Sequence, residues 1–159
     1  MVILNSFSTQ DILIIARQIH NIILTDSNLT NRSLDEITKL LKKNSFYVYL
    51  NRNVVCGFLS RERLIGNYYE VKSWYVTPTY RNTGLADTIF KKATEDPSKF
   101  YIGVTFNLTI TNKVKKFNFH QIAMTNLPLK VLVAYIASRS LTSIFKHLFI
   151  NKSYLLLKS

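Results

Sequence analysis

At about Phe46 the apolar pattern of this chain changes period, and that change limits the folds open to it. Before it, Ile12, Ile15, Ala16, Ile19, Ile22 and Ile23 recur at the spacing that lines up side chains on one face of a helix. The spacing predicts an amphipathic helix over Thr9–Leu24, entered through Ser8-x-x-Asp11, which reads as a capping box. A second helix is expected over Leu34–Lys43, with Ser33 as its cap and Lys42 and Lys43 at its negative end. After the change, Phe46–Leu50 and Val54–Ser60 are rich in β-formers and flank Asn51-Arg52-Asn53, a hairpin signal.

The remaining elements alternate. Val2–Asn5 reads as an edge strand. Gly66-Asn67 marks a turn before a long strand, Tyr68–Thr77, which Pro78 ends. A loop, Arg81-Asn82-Thr83-Gly84, leads into a helix over Leu85–Ala93. A strand over Phe100–Phe106 and a helix over Leu108–Phe117 follow. Asn118 closes that helix, because Asn tolerates a left-handed C-cap. Phe119–Met124 is expected as a strand, Pro128–Ile150 as helix broken near Ser138–Ser140, and Tyr154–Lys158 as the last strand. This order predicts a mixed-sheet α/β or α+β domain. The 159 residues suit one domain, and 47% apolar with 13% aromatic residues exclude global disorder.

Charge is unevenly placed. Residues 1–60 carry six bases and four acids, residues 61–100 seven and five, and residues 101–159 eight bases and no acid. The net charge of +12 invites a polyanionic ligand, although the bases are scattered and a basic proteome explains them equally well. No stacked aromatic–basic pattern of an RNA-binding sheet is present, so nucleic acid is not the expected partner. No segment reaches the ~18 apolar residues of a membrane span, and Met1–Ser8 lacks the pattern of a signal peptide. One cysteine, Cys56, in an apolar strand, reads as a buried thiol in a reducing cytoplasm. His20, His120 and His147 share no ligand spacing, so no metal is expected.

The chemistry concentrates in Trp74-Tyr75-Val76-Thr77-Pro78-Thr79-Tyr80-Arg81-Asn82-Thr83-Gly84-Leu85-Ala86. A strand running through a tight glycine turn into a helix aims free backbone N–H groups at one point beside a positive helix end. Such a turn holds a pyrophosphate. Gly84 admits a ligand close to the backbone, Ala86 keeps the helix start uncrowded, and Arg81 adds a permanent charge. Thr77 and Thr83 carry hydroxyls that phosphate accepts, though loop filler explains them equally well. The Gly-Lys-Ser/Thr of a P-loop and the three glycines of a dinucleotide fingerprint are both absent.

Val76-x-Pro78-x-Tyr80-Arg81-x-x-Gly84-x-Ala86 resembles the acyl-CoA-binding motif of the GNAT superfamily of N-acyltransferases, V-x-P-x-[YW]-R-x-x-G-[LIV]-[GA]. Downstream, Asn107-x-x-Ile110-x-x-x-Val114-x-x-Phe117-Asn118-Phe119 resembles the family's N-x-x-A-x-x-x-Y-x-x-L-G-F segment. The resemblance covers about residues 1–124 and weakens from Pro128, where 128–150 reads as a divergent helical insert in a single GNAT-like domain over 1–159.

The resemblance implies a mostly antiparallel central sheet with splayed fourth and fifth strands and helices on both faces. It implies acetyl-CoA as co-substrate, bound through the backbone of Tyr75 and Val76, the N–H groups of Asn82, Thr83, Gly84, Leu85 and Ala86, and Asn107, with Asn112 nearby. Trp74 is either pocket wall or core. The reaction implied is direct attack of a small-molecule primary amine on the thioester, with Glu70 as general base. Alternation would put Glu70 on one face with Lys72, Trp74 and Val76. A cross-strand partner for a Lys or Arg is the equal alternative for Glu70. Val114 stands where the family carries its acidic Tyr, leaving thiolate protonation to water or another group, Tyr135 and Tyr154 among the candidates. The alternatives to a small-molecule enzyme are a weak or inactive GNAT-fold binding module, nucleic-acid or regulatory, and a protein lysine or N-terminal acetyltransferase. A homodimer is compatible with either.

Overall fold

The computed structural model describes residues 3–105, 108–139 and 154–158. The elements run β1 (Ile3–Leu4), α1 (Thr9–Thr25), α2 (Leu34–Lys42), β2 (Phe46–Asn51), β3 (Val54–Ile65) and β4 (Tyr68–Val76). Then come α3 (Leu85–Ala93), β5 (Phe100–Thr105), α4 (Leu108–Val114), β6 (His120–Ile122), α5 (Leu129–Ala137) and β7 (Tyr154–Lys158). The strands form one sheet in the order β1-β2-β3-β4-β5-β7-β6. The β1–β2, β2–β3, β5–β7 and β6–β7 pairs are antiparallel, and β4–β5 is parallel. A parallel neighbour needs a crossover, and α3 supplies it. The β4–β5 ladder runs from Tyr68↔Phe100 to Val71↔Gly103 and stops, while both strands continue.

Local signals explain most boundaries. Ser33 and Glu36 form a full capping box, with Glu36 N–H to Ser33 Oγ at 3.2 Å and Ser33 N–H to Glu36 Oε2 at 2.8 Å. At Ser8 only half of the expected box forms. Asp11 N–H reaches Ser8 Oγ, but the Asp11 carboxylate accepts the Ser8 hydroxyl instead of its backbone N–H. Asp is one methylene shorter than Glu, which limits its reach back along the chain. Arg52 and Asn53 both take positive φ, 48° and 64°, the conformation a two-residue β-turn requires. Asn118 has φ 64° and ends the helical stretch as expected. That stretch tightens into a 3-10 turn over Lys115–Phe117 rather than continuing as α-helix. The sixth strand is shorter than expected, His120–Ile122, because a 3-10 turn over Met124–Asn126 takes the chain away. Of the stretch expected as helix over 128–150, α5 is present, and 140–150 lies outside the described residues.

The chain divides into two compact units, residues 1–62 with 72–95 and residues 63–71 with 96–159. In the first, Ile12, Ile15, Ala16, Ile19 and Ile23 of α1 and Ile37 and Leu41 of α2 bury against Phe46, Val48, Val55 and Phe58. Each large aliphatic buried there contributes about 1.5–3 kcal/mol relative to exposure. Arg61 donates to the Ala93 carbonyl at 3.1 Å and lies over the Tyr47 ring, satisfying the C-terminal end of α3. In the second unit, Ile102, Leu127, Val131, Tyr135 and Leu155 form the core, with Leu64 and Tyr68 packed against it. Cys56 is a buried free thiol, as expected.

Candidate functional site

The glycine turn lies wholly in the first unit and is fixed from several sides. Thr77 ties the end of β4 to β3 twice, donating N–H and Oγ1–H to the Cys56 carbonyl at 2.9 and 3.1 Å. Pro78 then starts a 3-10 turn, where its missing N–H is harmless. Tyr80 anchors that turn to the β2–β3 hairpin: its ring meets Tyr49 edge-on at 5.6 Å, and its hydroxyl accepts from Asn51 Nδ2 at 2.5 Å. Thr83 Oγ1 donates to the Tyr80 carbonyl at 2.7 Å. The hydroxyls of Thr77 and Thr83 are therefore engaged by main-chain carbonyls, one on β3 and one in the turn, which favours the structural of the two readings open to them. Asn82 and Gly84 take left-handed φ values of 64° and 82°.

This path leaves the N–H groups of Asn82, Thr83, Gly84, Leu85 and Ala86 with no backbone acceptor among the described residues. They open α3, whose first turn carries the positive end of the helix dipole. A Cβ built on Gly84 would meet nothing within 4 Å, so the space over the turn is open. Arg81 is exposed beside it, its Nε 3.5 Å from the Val76 carbonyl. The helix sits close because β3 offers Gly57 beneath it: a Cβ there would stand 2.9 Å from Ile89 Cδ1 and 3.2 Å from the Tyr75 oxygen.

Trp74 and Tyr75 do structural duty with their rings. Trp74 packs on Phe90 of α3 at 4.7 Å, and Tyr75 on Phe58 at 5.5 Å. The alternation expected along β4 is interrupted, since Ser73 takes φ 49° and a left-handed residue breaks the pleat. Glu70 and Trp74 cannot be assigned to one face by counting.

Glu70 lies in the second unit and is 1% exposed. Its Oε1 accepts from Arg139 Nη2 in an ion pair. Arg139 follows α5, whose Val131 and Tyr135 face inward at i, i+4. Its guanidinium lies over the Tyr135 ring, 4.0 Å from the centroid. Burial, with Glu70 adding to it and Arg139 opposing it, pushes the Tyr135 hydroxyl up to about 12 from its ordinary 10. The unfolded chain loses this proton from about pH 10 and the fold keeps it to about 12, so stability falls as pH rises through that window. We expect the wild type to lose stability there more steeply than Tyr135→Phe, by up to about 1.4 kcal/mol per pH unit. Urea unfolding at stepped pH checks this, and equal slopes would refute it.

Asn112 is exposed on α4, and Val114 is buried. Asn107 lies outside the described residues. The structure thus gathers Trp74, Tyr75, Val76 and Arg81–Ala86 in one unit and Glu70 in the other. The Lys or Arg partner that the sequence allowed Glu70 is present, but it is Arg139, after α5, and not a residue of a neighbouring strand. The signal was present: no acid occurs after Asp96, so a basic side chain buried in that region needs an acid from earlier in the chain. Among the described residues no group of three or more metal-ligating side chains occurs.

No family model and no curated protein matches the sequence. Solved structures do match. A GNAT-family acetyltransferase from Staphylococcus aureus Mu50 aligns over 99% of this chain and 97% of its own, with TM-score 0.60 and 18% identity. The chain has the GNAT fold. Two further GNAT-fold neighbours were solved with ligands. Rv2747 from Mycobacterium tuberculosis, in complex with CoA and NLQ, aligns over 99% of this chain and 98% of its own, with TM-score 0.73 and 16% identity. N-acetylglutamate synthase from Neisseria gonorrhoeae, complexed with coenzyme A and N-acetyl-glutamate, gives TM-score 0.67 and 14% identity. This chain spans 34% of that one. Among the described residues no helix is long and apolar enough to cross a membrane.

Proposed function

We propose that this GNAT-fold chain is an acyl-CoA-dependent N-acyltransferase that moves acetyl from acetyl-CoA to a primary amine. The observation that carries the reading is the Arg81–Ala86 turn: its N–H groups from Asn82 to Ala86 have no backbone acceptor among the described residues, and the space above Gly84 is open. Those groups fit a diphosphate. In this reading Arg81 and the N–H groups from Asn82 to Ala86 hold the diphosphate, and the main chain of Tyr75 and Val76 pairs with the pantetheine arm as an added strand. Asn112, exposed on α4, lies near one end of the ligand. Bound acetyl-CoA supplies an activated thioester. Glu70 takes a proton from the acceptor ammonium, the freed amine forms the C–N bond as C–S breaks, and the second amine proton ends on sulfur. One proton is released overall. One GNAT-like domain over 1–159 does this work, and its single buried thiol suits a cytoplasmic setting.

A thermal shift with acetyl-CoA tests the reading. A ligand specific for the folded state stabilises it by about 2.7 kcal/mol at a hundred times its Kd. We expect a rise in melting temperature with acetyl-CoA and release of free thiol when a primary amine is added. No shift at millimolar acetyl-CoA overturns the proposal.

A further inference from the structure

We propose that the hydroxyl of Ser73 is the donor that receives the carbonyl oxygen of the acyl thioester. The inference rests on the transferase reading above and adds a catalytic residue to it.

Ser73 stands out on two independent counts. Its φ of 49° is left-handed, in a residue with neither the freedom of Gly nor the tolerance of Asn for that conformation. Its Oγ is buried and has no hydrogen-bond partner. A strained backbone and an unmet donor each cost the fold free energy, and both persist only where the neighbours hold the chain. The neighbours do hold it. Before Ser73, the Lys72 carbonyl accepts from the hydroxyl of Ser60 at 3.2 Å, and Ser60 is 0% exposed. After it, the Trp74 ring packs on Phe90 and the Tyr75 ring on Phe58. The last rung of the β4–β5 ladder lies earlier, at Val71.

Position names the acceptor. Ser73, Tyr75, Val76 and the Arg81–Ala86 turn belong to one compact unit. A pantetheine arm that leaves the diphosphate at that turn and pairs with the main chain of Val76 and Tyr75 continues along β4 toward Ser73, at about 3.3 Å per residue. Beyond its last amide the arm has two methylenes, the sulfur and then the acyl carbon, which brings the thioester to the level of Ser73. The residue is half-buried, and its hydroxyl turns about a single χ1, so it can meet an oxygen that arrives there. A thioester carbonyl accepts and does not donate, which is what an unmet O–H requires. As the amine forms the C–N bond, the carbonyl electron pair moves onto this oxygen, and the hydrogen bond from Ser73 stabilises the charge. The pair returns as C–S breaks and its electrons leave on sulfur. Ser73 keeps its proton throughout.

Calorimetric titration of the intact protein with acetyl-CoA and with S-ethyl-CoA decides the matter, in the absence of any amine. The two ligands differ only by the carbonyl oxygen. We expect acetyl-CoA to bind roughly fivefold tighter, as one hydrogen bond to an otherwise unmet donor implies. The preference should fall to about one in Ser73→Gly and in Ser73→Ala. Glycine is at ease at this φ, so Ser73→Gly keeps the path of β4 and should melt within a few degrees of the wild type. Ser73→Ala keeps the Cβ and loses only the hydroxyl. If the wild type binds both ligands alike, or if the preference survives in either variant, water or the main chain serves the carbonyl and the proposal is overturned. Failure of the transferase reading is seen separately, in the absence of a thermal shift with either ligand.

Discussion

Arg139→Ala is expected to lower the unfolding free energy by about 3–5 kcal/mol. It removes the cation that the structure pairs with Glu70, a carboxylate 1% exposed, and with it the guanidinium lying over the Tyr135 ring. Arg139 itself is 12% exposed, so solvent screens the pair little. For a domain of this size the loss corresponds to a melting temperature lower by roughly 10 °C. Removing both charges has a different consequence. Glu70→Leu with Arg139→Met leaves no unpaired ion and should recover most of the loss, since apolar replacements of buried ion pairs are often neutral or better. Urea unfolding with unchanged m-value reads both effects. A single-variant loss under 1 kcal/mol would mean that the pair is solvated in solution.

The pair also shows where the sequence stops being informative. Glu70 and Arg139 stand 69 residues apart, and no periodicity or spacing links residues at that distance. What the sequence shows well is local. Gly84 and Asn82 bend the motif as turn residues should, Arg52 and Asn53 make the hairpin, and Leu85–Ala93 is helical with the expected bounds. Each follows from a conformational preference of the residues themselves. Ser73 escapes the same reasoning. It takes a left-handed φ inside β4 with no Gly or Asn to announce it, and the pleat argument for Glu70 and Trp74 fails there. The reciprocal half of the Ser8 capping box fails for a subtler reason, side-chain length, which a motif written as S-x-x-[DE] does not distinguish. Val114 is buried, and its type is that of a core residue.

Gly84→Val is expected to abolish the stabilisation by acetyl-CoA while costing the apo protein only about 1–2 kcal/mol. The φ of 82° is open to glycine and strained for any residue with a Cβ, most of all a β-branched one. Space is not the obstacle, because a Cβ would meet nothing within 4 Å. The strain is relieved by turning φ negative, which rotates the peptide planes on either side and re-aims the N–H groups of Gly84 and Leu85. Binding that depends on several converging donors loses all of them together. Gly84→Asn provides the control. Asn tolerates the left-handed region, as Asn82 and Asn118 already do in this chain, so it should keep the turn and most of the thermal shift. Arg81→Glu should lose the shift without strain, by replacing an attracting charge with a repelling one. If Val and Asn at position 84 respond alike to acetyl-CoA, the geometry of this turn is not what holds the ligand, and the diphosphate must be sought elsewhere on the fold.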